Sequence, residues 1–441
     1  EPLSLFVDAF VIGEGEVVMP QLMDAYATAV QAGLSRAELL RALAQVAGVY
    51  VPSLYAHDYD AAGRLCAVRA LDGAPSRVVR QWVRDLDDFP AHTVIVTDDT
   101  EFNLYLIETA RGCGRHCRFC MAGYCFRRPR NRSLAVLEKE VREAEKYQKR
   151  IGLMGAAISD YPEIDALCRD ILDKDLGMSV ASFRADSVTA ELVASLAKSG
   201  LRTITLAPEA GSVRLRKIIN KGIEEEHLFH TVDLALQAGI RQFRLYIMVG
   251  LPYEEKEDIE AIVAMTLRLE AHIRQKKERA QITLSINPFI PKPFTPFQWL
   301  PMADEKWVKE ALKTIRKGLA AYKNIRIIAE SPKGAYVQGV LARGDRRVAS
   351  ALYRAFLAGG AKAFKRAMKE DGLSFEDFLA TAYEEKAVFP WQALDMGFSR
   401  QYLYREMKKA AQLQYTKPCF SGCKRCGVCD TMEDEYVSVE T

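Results

Sequence analysis

An α/β architecture built on a parallel sheet is the fold class that this sequence of 441 residues predicts. Three observations predict it. From about 101 to 330, short apolar runs alternate with amphipathic stretches of helical length, the pattern of strand–helix crossover units. Gly and Pro punctuate the ends of those runs. A cysteine loop, Cys113-Gly-Arg-His-Cys117-Arg-Phe-Cys120, opens a few residues after the first run, and in β/α barrels chemistry sits at the carboxyl ends of the strands.

Composition narrows the function classes. With 49% hydrophobic and 27% charged residues, the chain has the make-up of a soluble globular protein. A net charge of +3 is too small to argue for nucleic acid by itself. No apolar run reaches the length of a membrane span, and no signal peptide is visible. Of ten cysteines, seven fall in two tight clusters, which indicates metal binding rather than disulfides and a reducing cytoplasm as the compartment. The sequence begins at Glu1 without Met, so an upstream piece is expected to be missing.

In chain order, an apolar strand of about six residues leads into Gly13-Glu-Gly-Glu16, and Pro20 opens a helix to about Ala32. One strand–helix pair cannot close a core, so residues 1–60 are expected to be the end of a flavodoxin-like domain. A short amphipathic helix is expected over 36–49. Residues 61–100 form a linker or small β-unit, with Val94-Ile-Val-Thr its clearest strand and Cys66 a packed thiol. Over 101–330, strands are expected at 104–108, 153–159, 178–183, 203–207, 242–249 and 282–287. Helices are expected at 134–149, 162–173, 189–199, 212–219, 225–238, 255–275 and 305–322, with Ser133 as N-cap of the first. Residues 331–410 are helical, at 333–342, 346–358, 360–371, 374–386 and 399–413. Residues 411–441 form a cysteine-rich segment.

Three thiolates on one short loop suit a soft metal centre, and three ligands leave one iron of a four-iron cluster open. Structural zinc takes four protein ligands, for which Cys125 is the spare candidate. The spacing, with Phe119 beside the last cysteine, resembles the signature of the radical S-adenosylmethionine (SAM) superfamily. That resemblance implies a partial (β/α)6 barrel, a [4Fe–4S] cluster on Cys113, Cys117 and Cys120, and SAM on the open iron. It further implies reductive cleavage of SAM to methionine and a 5′-deoxyadenosyl radical.

Four later segments extend the resemblance. Gly155-Ala-Ala-Ile-Ser159-Asp160 stands where the superfamily has a Gly-Gly-Glu-like motif for the SAM amino group, and departs from it. Ser182-Phe-Arg184-Ala-Asp186 places Arg184 where relatives face SAM. Ala207-Pro-Glu209-Ala-Gly-Ser and Asn220-Lys221-Gly222 resemble the polar strand end and the Asn-Arg-Gly turn whose basic residue pairs with the SAM carboxylate. Leu245-Tyr-Ile-Met-Val-Gly-Leu-Pro252 matches the Gly-Leu-Pro turn, which puts Tyr246 near the ribose and Met248 near the adenine. As ordinary structure, Glu209–Lys221 is a helix-end ion pair and the apolar residues are core. The arginines of Met121-Ala-Gly-Tyr-Cys125-Phe-Arg127-Arg128-Pro-Arg130-Asn-Arg132 either meet anionic groups at the site or form salt bridges at the barrel mouth. No residue is singled out as a catalytic acid, base or nucleophile.

The tail holds Cys419, Cys423, Cys426 and Cys429, four thiolates that can close a second site, either an auxiliary [4Fe–4S] cluster or four-cysteine zinc. Together with Gly-Glu-Gly-Glu and Asp-Tyr-Pro-Glu, it resembles an uncharacterised bacterial branch with a cobalamin-binding-like N-terminal domain. The cobalamin motif Asp-x-His-x-x-Gly is absent, since His57 sits in Ala-His-Asp-Tyr, so this chain lends cobalamin no support. The implied function is a radical modification of an unactivated carbon, with RNA first and protein second as substrate, and flavodoxin or ferredoxin as electron donor. The alternatives are a cobalamin-dependent radical SAM methyltransferase and, from another class, a non-catalytic iron–sulfur protein that binds RNA or transfers electrons.

Overall fold

The computed structural model describes residues 1–93, 99, 104–147, 150–180 and 183–429. The strand expected at Val94-Ile-Val-Thr, the last two residues of the helix expected at 134–149 and residues 181–182 of the third strand lie outside the described residues.

Among the described residues, seven parallel strands form the centre: β1 (Tyr105–Glu108), β2 (Ile151–Met154), β3 (Met178–Val180), β4 (Thr203–Glu209), β5 (Gln242–Val249), β6 (Gln281–Pro288) and β7 (Ile325–Ala329). The first three pair in the order β3-β2-β1 and the last four in the order β4-β5-β6-β7. A parallel bridge from Phe183 to Leu206 joins the two sheets. Spatial order follows chain order, so each crossover helix returns the chain to the neighbouring strand, and the sheet curls into a partial barrel. β7 adds to the six strands read from the sequence.

Alternation along the strands sets the two faces of the barrel wall. On β5, Phe243, Leu245, Ile247 and Val249 are buried beneath the helices, whereas Tyr246 and Met248 point inward and stay half-buried. β6 repeats this with Ile282, Leu284 and Ile286 outward-packed. The outer layer holds one continuous core, from Leu137 and Val141 through Leu269 and Ile273 to Ile315 and Leu319. Ser133 caps its helix as expected, accepting from Val136 N.

Several expected boundaries move. Residues 1–6 form turns, and the first strand is only Phe10–Val11, paired antiparallel with Val49–Tyr50. The first helix begins at Gly15, so Pro20 lies inside its first turns. A capping box between Ser35 and Glu38 starts Arg36–Leu43, and Gly48 ends the helical stretch with φ +81°. Cys66 is exposed on the hairpin Tyr55–Tyr59/Leu65–Ala70 rather than packed, because among the described residues its side of that two-stranded unit stays open to solvent; its thiol donates to Asp58 O. β2 stops at Met154, since 155–161 turn away through bonds from Asp160 N to Ala157 O and Tyr161 N to Ile158 O. The helix expected at 374–386 is only Phe375–Leu379, because the backbone beyond it serves other elements: Thr381 O accepts from Arg343, and Tyr383 N donates to Trp299 O.

Candidate active site

The cysteine loop leaves the carboxyl end of β1 and is closed at its base. Ala110–Arg111 pairs antiparallel with Arg130–Asn131, a two-residue clasp around everything between. Gly112 has φ +80°, and a Cβ there would stand 2.1 Å from Phe126 O, so only glycine lets the two limbs approach. Arg80 adds a guanidinium donor to Cys125 O at 2.7 Å.

Within the loop, Cys113, Cys117 and Cys120 lie near enough to influence one another's ionisation. Burial, reinforced by the charge on Cys117, pushes the Cys113 thiol up to about 11, and Cys120 shifts the same way for the same reasons. Three soft thiols desolvated on one loop are a donor set that suits an iron–sulfur cluster, whose positive irons would supply the charge that the thiolates lack. Among the described residues no set of three His, Cys, Asp or Glu side chains forms a ready-made metal site, so the thiols are neighbours rather than converged ligands. Cys125 is buried, and burial, reinforced by the charge on Cys120, pushes its thiol up to about 12, which keeps it protonated.

The residues expected around SAM form one connected polar network beside these thiols. Arg115, inside the loop, bridges Asp160 at 2.7 Å and Asp186 at 2.9 Å. Arg184 binds Asp186 at 3.0 Å and donates to Lys221 O. Ser159 Oγ accepts from Arg184 N at 3.2 Å and from Ser187 Oγ. Lys221 Nζ meets Glu209 Oε1 at 3.0 Å and lies over the Phe119 ring. A register shift between Leu206 and Glu209, with Glu209 at φ +66°, turns that carboxylate out of the strand pleat. Arg184 and Lys221 both bear electrostatically on Cys117. Burial alone would lower the Lys221 ammonium, but Glu209 and Cys117 hold it above its ordinary value. Phe119 and Met248 pack into one apolar cluster with Leu251 and Phe289, and Tyr246 lies on the same inward face of β5.

Sequence reasoning missed Arg115, His116 and Arg118, which stand between the cysteines. Arg118 is fully buried, pairs with Glu406 at 3.3 Å and donates to Lys217 O, Ile218 O and Gln414 O. Burial, with Arg127 nearby, pushes the His116 imidazolium down to about 2, so the ring is neutral. The signal available was the presence of cationic and imidazole side chains in a loop that its cysteines must bury. Of the arginines after Cys125, Arg127 faces His116, Arg130 pairs with Glu14 at 2.6 Å and Arg132 with Glu108 at 2.8 Å; Arg128 is exposed.

The C-terminal cysteines dock onto the same loop. Cys419 N donates to Gly114 O at 2.8 Å, and Cys419 Sγ lies 3.3 Å from His116 Nε2. Asn220 ties the loop to this segment by donating to His116 O and Thr416 O and accepting from Thr416 N. Cys426 and Val428 enter an aromatic cluster with Tyr124, Trp299, Phe389 and Tyr402. Burial opposes ionisation of Cys423, yet the Arg425 backbone N–H and guanidinium hold its thiol below the ordinary range.

Residues 107–266 match the radical SAM superfamily, and residues 1–52 match the family described as radical SAM proteins, N-terminal. Within the chain, residues 107–266 thus carry a radical SAM domain. The superfamily implies a [4Fe–4S] cluster and SAM. The chain is 34% identical to the uncharacterized protein MJ0966 of Methanocaldococcus jannaschii over 60% of its own length and 58% of that protein's. It is 26% identical to the tRNA-2-methylthio-N(6)-dimethylallyladenosine synthase of Chlorobium phaeobacteroides, over 36% of this chain and 38% of that enzyme. The chain thus spans little more than half of the first relative. The solved structure of the radical SAM methyltransferase TsrM from Kitasatospora setae, with cobalamin and a [4Fe–4S] cluster bound, overlaps 84% of this chain and 79% of its own at 15% identity and a TM-score of 0.49. Among the described residues no helix is long and apolar enough to cross a membrane.

Proposed function

We propose that this protein is a radical SAM enzyme that modifies an unactivated carbon of a macromolecule, with RNA as the first substrate class. One observation carries the reading: the three-cysteine loop stands at the barrel mouth with the Asp160–Arg115–Asp186–Arg184 chain and the Glu209–Lys221 pair beside it. Cys113, Cys117 and Cys120 would hold a [4Fe–4S] cluster, which would supply the one-electron reduction of SAM on which radical chemistry at an unactivated carbon depends. The chain's own residues bind and orient. The methionine end of SAM carries one positive and one negative group, and Glu209 with Lys221 presents the complementary pair. Lys221 meets the carboxylate as a point charge. Phe119, Tyr246 and Met248 wall the apolar side, while Ser159, Asp160 and Arg184 fix the polar rim. The electron comes from a small donor such as flavodoxin or ferredoxin. Cys419, Cys423, Cys426 and Cys429 hold a second metal, either an auxiliary cluster or zinc.

RNA is favoured by the partial likeness to the tRNA-modifying synthase and by the helix Ala361–Glu370, whose exposed face carries Lys362, Lys365, Arg366 and Lys369. The test is to reduce anaerobically reconstituted protein, add SAM, and follow 5′-deoxyadenosine and S-adenosylhomocysteine by mass spectrometry with an iron and zinc count. Deoxyadenosine is expected, and Cys113→Ala should abolish it. S-adenosylhomocysteine as well would move the reading to methyl transfer. Zinc without iron, and neither product, would sink it.

A further inference from the structure

We propose that His116 couples the two cysteine groups, so that metal held by the C-terminal cysteines and metal held by the three-cysteine loop strengthen each other. The inference rests on the second-site reading above and adds the link between the sites.

The tautomer follows from the partners. His116 Nδ1 lies 2.7 Å from Arg127 Nη2 and 2.7 Å from Tyr402 Oη. A guanidinium can only donate, so Nδ1 must carry a lone pair. A neutral ring then holds its proton on Nε2, which lies 3.3 Å from Cys419 Sγ. His116 therefore donates to the Cys419 sulfur. It is not itself a metal ligand through Nε2: that would displace a proton which Nδ1, facing Arg127, cannot take up.

The donor sits where it can transmit. His116 lies between Cys113 and Cys117, and its own carbonyl is held by Asn220. Gly114 of the same segment accepts from Cys419 N. Cys419 thus grips the loop by main chain and side chain at once. When Cys419 becomes a metal-bound thiolate, the N–H···S bond turns charge-assisted and strengthens. The strengthened bond holds residues 114–116 in place between two ligands of the first site. Such coupling is reciprocal: each metal raises the affinity for the other by the same factor, on the order of tenfold.

The experiment uses the full chain, loaded anaerobically with iron and sulfide. The Cys113→Ala/Cys117→Ala/Cys120→Ala variant isolates the C-terminal site, and metal content and resistance to a chelator are read. In that background His116→Phe, which keeps a ring and removes the donor, should loosen the metal roughly tenfold. His116→Gln, which keeps an N–H at a similar reach, should restore most of the hold. Conversely, Cys423→Ala/Cys426→Ala with the loop intact should lower iron retention in the loop and alter the EPR signal of its reduced cluster. If the triple variant holds neither iron nor zinc, the second-site reading fails and takes the proposal with it. If the triple variant holds metal that His116→Phe does not loosen, or the loop cluster is indifferent to Cys423 and Cys426, the coupling alone is overturned.

Discussion

Between the cysteines of the loop, His116 and Arg118 reach into the C-terminal part of the chain. Arg118 shows what this demands. Its charge is buried and answered by one carboxylate, Glu406, itself 1% exposed. Removing the carboxylate leaves an uncompensated buried cation, so Glu406→Ala should cost about 3 kcal/mol in denaturant unfolding. Glu406→Gln, which keeps an acceptor, should cost less. The three carbonyls that also receive Arg118 keep the loss at the lower end of the usual range. The cysteine spacing was legible because the ligands lie within eight residues of one another. Arg118 was not, because its partner lies 288 residues away and no local pattern names it.

At the scale of elements, two turns hold the site open. Gly112 permits the clasp Ala110–Arg111/Arg130–Asn131, and Gly112→Ala would add both a steric overlap with Phe126 O and a positive φ. The expected outcome is a fall in Tm together with loss of iron uptake by the loop. The turn after β5 is held by Glu254, which accepts from Gly250 N and Trp307 Nε1, each at 2.7 Å, and from Leu251 N. Burial lifts this carboxyl from its ordinary 4.5 to about 7, against the pull of those donors. Because the folded value is raised, its favourable contribution is complete below about pH 4.5 and is lost as the pH rises through about 7. Glu254→Gln should flatten that slope, worth on the order of 3 kcal/mol, in denaturant unfolding measured between pH 4.5 and 7.5. The strand alternation of β5 and β6 was plain in the sequence, since a barrel wall buries one face fully. β7 was not, because a short edge strand with half-exposed residues carries little pattern.

Across the whole molecule, the barrel and the C-terminal extension meet on the back of the cysteine loop, through Arg118–Glu406, Asn220–Thr416 and His116–Cys419. Composition gave the extension as helical and cysteine-rich, but helical periodicity cannot say which surface a helix covers. The aromatic residues Phe389, Trp391, Phe398 and Tyr402 enclose Cys426 only once the fold has brought them to Tyr124 and Trp299. The docking also carries a consequence in time. His116 and Cys419 are 303 residues apart, so at ordinary elongation rates the ribosome delivers the second roughly 15–60 s after the first. Throughout that interval the nascent loop has its clasp and its three thiols but no backing. A metal cofactor inserted during synthesis would meet a different, looser loop from the one that the finished chain presents.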